Sequence, residues 1–197
     1  MIRLANPTDA TALLAIYTPY IRGTSITFET AIPAVADFAN RIRSYMENWP
    51  WLVYEKDDQV VGYAYASRYR EREAYQWSIE CSVYIHDDYL RSGIASQLYA
   101  ALFAILKKQG FRTVYAVINL PNERSVAFHE KMGFRYFATY ENVGYKLGQW
   151  KNVGWWQLQL NDYTIEPPAP VKFNALSNEV IKKILDENQK SPGEGDF

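Results

Sequence analysis

One cysteine and two histidines are all the thiol and imidazole that 197 residues contain. A lone Cys81 forms no intramolecular disulfide, and no set of thiolates is available to hold a metal. His86 and His129 lie far apart in sequence, which speaks against a zinc enzyme. Charge of one sign is lacking too, since 21 basic against 22 acidic residues leave a formal net charge of −1. So even a balance excludes a global field for nucleic acid or an anionic membrane, and leaves only a local basic patch open. No apolar run approaches the ~18 residues that span a bilayer. The opening MIRLANPTDA has no apolar stretch behind a basic start, so it does not read as a secretory signal. Together these absences predict a soluble cytoplasmic protein with no metal, no nucleic-acid partner and no membrane partner.

What is present is apolar and aromatic. Hydrophobic residues make up 48% of the chain and aromatics 16%, which excludes a mostly disordered protein and suits one domain with a sizeable core. Ile2 to Ala5 reads as a short strand. Thr8 then offers an N-cap to a helix with Ala10, Leu13, Leu14, Tyr17 and Tyr20 on one face, ended by Gly23. Thr24 to Thr30 is extended or a loop. Pro33 opens a second helix that buries Val35, Phe38, Ile42 and Tyr45, and Pro50 closes it. Trp51–Tyr54 and Val60–Ala66, on either side of Asp57-Asp58-Gln59, read as a hairpin. After a charged loop, Arg68 to Glu73, a β-rich run extends from Tyr75 to Ile85. A helix from about Gly93 to Lys108, a strand at Thr113–Ile118, a helix at Asn122–Met132 capped by Asn122, and two β-rich stretches to Leu160 complete the pattern. This order predicts an α+β domain over residues 1–162, with a mixed, mostly antiparallel sheet and helices on both faces. Residues 163–197 read as a proline-rich linker, EPPAPVK, and a tail in which Leu176–Glu187 forms one amphipathic helix before a disordered SPGEGDF end.

The chemistry concentrates at one strand–loop–helix junction. The strand ends near Ile85, a polar loop follows, and a helix starts near Gly93. The first turn of a helix leaves N–H groups without internal partners and carries partial positive charge, a ready site for a pyrophosphate. Gly93 and Ala95 let phosphates approach the backbone, and Arg91 adds a cation. An ordinary turn glycine is the other reading of the same residues.

Leu90-Arg-Ser-Gly93-Ile-Ala95 resembles the pyrophosphate loop, Q/R-x-x-G-x-G/A, of the GNAT superfamily of N-acetyltransferases. Leu90 departs from the pattern, leaving backbone amides as the main phosphate ligands. The blocks AYQWSIECSVYI, AVINLPNERSVAFHEKMGF and VGYKLGQWKNVGWWQLQL closely resemble phosphinothricin and methionine sulfone/sulfoximine N-acetyltransferases. The resemblance spans roughly residues 1–162. It implies the GNAT acyl-CoA N-acyltransferase fold, a homodimer, acetyl-CoA as donor, and a small amino-acid-like acceptor with a free amine.

It also implies roles. Acetyl-CoA would lie along Val83, Tyr84 and Ile85, with the Ile85 N–H polarising the thioester carbonyl. The amides of Arg91, Ser92, Gly93, Ile94, Ala95 and Ser96 would hold the phosphates, and Asn122 and Ser125 would add contacts. Glu80 is the candidate general base: strand alternation sets it on a face with Ser82 and Tyr84, away from Cys81, Val83 and Ile85. A carboxylate within WSIECSVYI is costly to bury unless it is paired or functional. His129 occupies the position where the superfamily commonly has a Tyr, and reads either as an acid toward the leaving sulfur or as a packed helix histidine. The loop SRYRERE is a solvated charged loop by default. By resemblance it binds the acceptor, with Arg72 and then Arg70 gripping a carboxylate and Glu73, Ala74 and Ser82 nearby. Phe28 and Glu29 would form another wall. Cys81 reads as a small buried hydrophobe and not as a nucleophile. A broader amine acceptor and a non-catalytic acyl-CoA-binding module are the competing readings.

Overall fold

The computed structural model of the chain describes residues 1–189; the closing SPGEGDF lies outside them. The elements are β1 (Ile2–Leu4), α1 (Ala10–Gly23), α2 (Val35–Asn48), β2 (Trp51–Lys56), β3 (Gln59–Arg68), β4 (Ser78–Ile85), α3 (Ile94–Gln109), β5 (Thr113–Leu120), α4 (Glu123–Lys131), β6 (Arg135–Lys146), β7 (Gln149–Gln159) and α5 (Asn178–Gln189). Seven strands form one sheet in the order β1-β2-β3-β4-β5-β7-β6. Every neighbouring pair is antiparallel except β4 and β5.

Strand alternation divides the core between the two faces. Trp51, Val53, Tyr63 and Tyr84 pack under α1 and α2 with Leu13, Tyr17, Phe38 and Ile42. Leu52, Ala64, Ile79 and Cys81 point the other way, onto α3 residues such as Leu98, Tyr99 and Leu102. Helices therefore cover both faces, as the sequence predicts. The β2–β3 turn uses Asp57 and Asp58 at positive φ, 50° and 58°, the backbone that a two-residue hairpin loop demands.

Several local expectations are corrected. Asn6, not Thr8, is the first cap: its side chain accepts from the Thr8 N–H, and Asp9 reaches back to the Asn6 N–H, so a 3₁₀ turn over Pro7–Asp9 precedes α1. The strand expected from Tyr75 begins at Ser78, because Glu73–Tyr75 close another 3₁₀ turn. Val35 stays 49% exposed at the start of α2, where the helix has not yet reached the sheet. Beyond Asp162 the chain turns back onto the domain, burying Phe173, Ile181, Ile184 and Leu185 in the α3-side core. Among the described residues, no helix is long and apolar enough to cross a membrane.

Candidate active site

The sheet is forked at its parallel pair. β4 meets β5 only through Ser78–Thr113, Ile79–Val114 and Glu80–Tyr115. Beyond Glu80, β4 stays on β3 as far as Ile85 while β5 stays on β7 as far as Leu120. The His86 N–H donates to Val61 O at 2.9 Å, which fixes the hydrogen-bonding phase of β4. Alternation along an antiparallel ladder then turns the N–H groups of Val83 and Ile85 toward the gap. The Ile85 carbonyl is held by the Tyr20 hydroxyl, which donates at 2.7 Å. The gap thus has fixed backbone polar groups along one wall.

Glu80 stands at the crotch of this fork, on the α1/α2 face. Burial raises its pKa to about 7, against an opposing pull from the charge of Arg70. Arg70 is held at 4.7 Å over Tyr69 and 5.6 Å over Trp155. Tyr69 in turn stacks on Tyr115, the register partner of Glu80, at 4.6 Å. An aromatic stack therefore carries one cation to the neighbourhood of one half-buried carboxyl.

The other face of the fork holds a helix start and a buried polar chain. Gly93 caps α3 at φ +82° with no side-chain cap, and an added Cβ there would meet nothing within 4 Å. The first amides of α3, from Ile94 through Ser96, thus lie at an open end whose dipole favours an anion. Arg91 is exposed at φ +62°, while the Ser92 hydroxyl is committed to Tyr89 O at 2.6 Å. Asn122 and Ser125 shape the start of α4: Asn122 Oδ1 accepts from the Ser125 N–H at 3.2 Å.

His129 is buried. Its Nδ1 donates to Ser125 O at 2.7 Å, so Nε2 accepts from the Tyr99 hydroxyl at 3.2 Å. Burial lowers its pKa, with the Ser125 carbonyl opposing, so the ring is neutral and its one N–H faces the backbone. The Tyr99 hydroxyl also lies against the Cys81 thiol, which burial pushes up to about 12. Such a thiol is no nucleophile. Tyr99 escaped the sequence reading because its place on the apolar face of α3 marks it as core; only its partner at His129 gives it a polar role.

Residues 24–34 between α1 and α2 form one clasp against α1, β5 and β6. Ser25 donates to Asn119 at 3.1 Å, and the buried Lys146 ammonium donates to Thr27 O at 2.6 Å. The Phe28 ring covers Gly144 so closely that a Cβ there would come within 2.4 Å of it. Thr27 also meets the Tyr17 hydroxyl at 2.6 Å, and Tyr17 packs edge-on against Tyr84 at 4.8 Å. Glu29 is taken up by Arg41, with 2.6 Å between them. Arg70, Arg72, Glu73 and Ala74 sit together on the exposed loop that precedes β4, and Ser82 shares the Glu80 face. The hydrogen bonds of Lys146, Tyr20 and Asn119 around this clasp and the gap were not legible in the sequence, because their partners are Thr27, Ile85 and Ser25.

A mixed sheet forked at its parallel pair, with an anion-seeking helix start on one side and a carboxyl of raised pKa on the other, is an arrangement suited to acyl transfer. The acetyltransferase (GNAT) domain family matches residues 2–155. A phosphinothricin N-acetyltransferase of Streptomyces viridochromogenes is 37% identical over 172 residues, covering 87% of this chain and 92% of that protein. An L-methionine sulfoximine/L-methionine sulfone acetyltransferase of Pseudomonas paraeruginosa is 31% identical over 81% of this chain and 94% of its own. A phosphinothricin acetyltransferase from Sinorhizobium meliloti, solved in complex with acetyl-CoA, superposes with a TM-score of 0.82 at 30% identity, covering 89% of this chain and 97% of that one. The chain belongs to the GNAT acetyltransferase family, and by that membership it is an N-acetyltransferase.

Proposed function

We propose that the chain moves the acetyl group of acetyl-CoA to the amine of a small amino-acid-like acceptor of the phosphinothricin or methionine sulfone/sulfoximine type. The observation that carries this reading is Glu80, a carboxyl with pKa about 7 placed where the two central strands part. A base with that pKa is half ionised near neutral pH and can accept a proton from an ammonium acceptor. The amine nitrogen then bonds to the thioester carbon, the carbon–sulfur bond breaks, and the thiolate leaves to take up a proton.

On the donor side, the N–H groups of Val83 and Ile85 would lie along the bound thioester, with Ile85 polarising its carbonyl. The amides from Arg91 to Ser96 would hold the pyrophosphate. Both hydrogens of the Tyr99–His129 pair are committed, His129 Nδ1–H to Ser125 O and the Tyr99 O–H to Nε2, which favours the reading of His129 as a packed helix histidine over an acid toward the leaving sulfur. On the acceptor side, Phe28 and the loop with Arg70, Arg72, Glu73 and Ala74 would form the walls, Arg72 gripping a carboxylate. The relatives named for small amino-acid analogues support this choice of acceptor.

A homodimer and a cytoplasmic location belong to the same reading. The free edge strand β6 and its turn carry Tyr136, Phe137, Tyr140, Val143, Tyr145 and Leu147 exposed, with Trp150 following at 63%. An apolar edge of this kind invites pairing. Sedimentation at micromolar protein tests it: a single species of dimer mass is expected, and a monomer would contradict it. The function itself is tested by release of free thiol from acetyl-CoA in the presence of an amine panel. Turnover with methionine sulfone or phosphinothricin supports it, and turnover only with polyamines or peptides overturns the acceptor class.

A further inference from the structure

The loop before β4, residues 68–76, is anchored at its start, where Tyr69 stacks on Tyr115 and Arg70 lies over Trp155, and has few anchors of its own from Glu71 to Gln76. Arg68 and every residue from Arg70 to Gln76 are exposed, and the hydrogen bonds of its 3₁₀ turn are internal, Tyr75 N–H to Arg72 O and Gln76 N–H to Glu73 O. What lies behind it is the segment after Asp162, beyond residues 2–155 that the domain-family model matches. That segment follows the base of the loop through a series of hydrogen bonds. Tyr163 and Thr113 share one between hydroxyls at 2.7 Å. Arg112 donates to Thr164 at 3.3 Å. The Trp77 indole N–H donates to Pro168 O at 2.8 Å, and the Trp77 carbonyl accepts from the Arg112 N–H at 2.8 Å.

Gln109 completes the set. Its buried side-chain amide donates to both Asn48 O and Val171 O at 2.8 Å, while its backbone carbonyl accepts from the Val171 N–H at 2.7 Å. One glutamine therefore joins the end of α2, the end of α3 and the C-terminal segment. Phe173, 4% exposed, then plugs into the α3-side core. Pro167, Pro168 and Pro170 make the crossing stiff, so little entropy is lost in docking it. Between this segment and the loop remains a cavity of about 250 Å³ whose lining includes Arg68, Arg72, Glu73 and Lys172.

We propose that residues 163–173 are a brace for the 68–76 loop, and that Trp77 and Gln109 are the positioning residues that transmit it to the acceptor. A loop whose arginines must meet a carboxylate in a defined geometry loses affinity when its backing moves, whereas the pyrophosphate amides of α3 sit at the other end of that helix, away from Gln109. The inference rests on the acceptor role proposed above for Arg70 and Arg72.

Steady-state kinetics separates the two. Trp77→Phe keeps an aromatic, though smaller, side chain and deletes the N–H; Gln109→Met keeps the volume and deletes both donated bonds. Each is expected to raise the acceptor KM about fivefold, the equivalent of one net hydrogen bond, with the acetyl-CoA KM and kcat near wild type. Truncation after Asp162 is expected to raise the acceptor KM further, and the two point variants decide the matter if that protein does not fold. Equal rises in both KM values, or an unchanged acceptor KM in folded, active variants, would overturn the brace. Wild-type protein without turnover on any amine would instead overturn the function on which it rests.

Discussion

Glu80 stands opposite Tyr115 at the last paired position before β4 and β5 part. The pairing holds a carboxyl at the crotch of the fork, where burial outweighs the nearby charge of Arg70 and raises its pKa from 4.5 to about 7. A raised carboxylate pKa is a cost to the fold and an asset to a general base.

The cost is measurable as stability. Glu80 in the folded protein binds its proton more tightly than in the unfolded chain, so stability falls as pH rises from about 4.5 through about 7. Glu80→Gln removes that ionisation. The variant is expected to be more stable than wild type in denaturant unfolding at pH 8, with the gain shrinking to nothing by pH 4. An equal difference at both pH values would show that Glu80 is not the group responsible.

Arg70 opposes the burial of Glu80, so its removal has a definite sign. Arg70→Met is expected to move the acidic inflection of kcat/KM to higher pH, because nothing then offsets desolvation. The pH profile under saturating acetyl-CoA is the check. An inflection that stays in place would mean that solvent screens the pair.

Gly93 holds φ +82° in open space, so Gly93→Ala meets no clash and carries only backbone strain, on the order of 1 kcal/mol. A fall of a few degrees in Tm is expected with a raised acetyl-CoA KM and an unaltered acceptor KM.

The clasp at residues 24–34, proposed above through Phe28 as an acceptor wall, predicts the reverse division. Lys146→Met leaves Thr27 O without its donor, and Gly144→Ala drives a methyl into the Phe28 ring. Both are expected to raise the acceptor KM severalfold, about the effect of one lost buried hydrogen bond, with acetyl-CoA affinity retained. Isothermal titration with acetyl-CoA provides the control.

Much of this arrangement is legible in the sequence where the code is local. Period-two alternation placed Glu80 with Ser82 and Tyr84 and turned Cys81 away, as the two core clusters show. The Asn122 cap and the Asp57-Asp58 turn follow from short-range backbone chemistry. The fork does not, because it depends on β4 and β5 pairing in parallel across the intervening α3 for three positions and then parting, a non-local arrangement that no window of residues encodes. The hydroxyl that His129 Nε2 accepts from belongs to Tyr99, thirty positions earlier. The partner of Lys146 is equally hidden, since Thr27 O, which accepts from it, lies 119 residues away. Tyr75 and Trp77 are strand-forming residues, yet Trp77 instead anchors a turn on Pro168.

The central claim is that Glu80 accepts the proton of an amino-acid amine while acetyl-CoA is bound at the fork. Its most direct test is the pH dependence of thiol release from acetyl-CoA with methionine sulfone or phosphinothricin, for wild type and Glu80→Gln side by side. Wild-type kcat/KM is expected to rise through an inflection near pH 7. Glu80→Gln should lose that inflection and about 100-fold or more in rate while still binding acetyl-CoA. A variant that releases thiol at the wild-type rate with the same profile, or a wild type that binds acetyl-CoA and acetylates no amine, would contradict it.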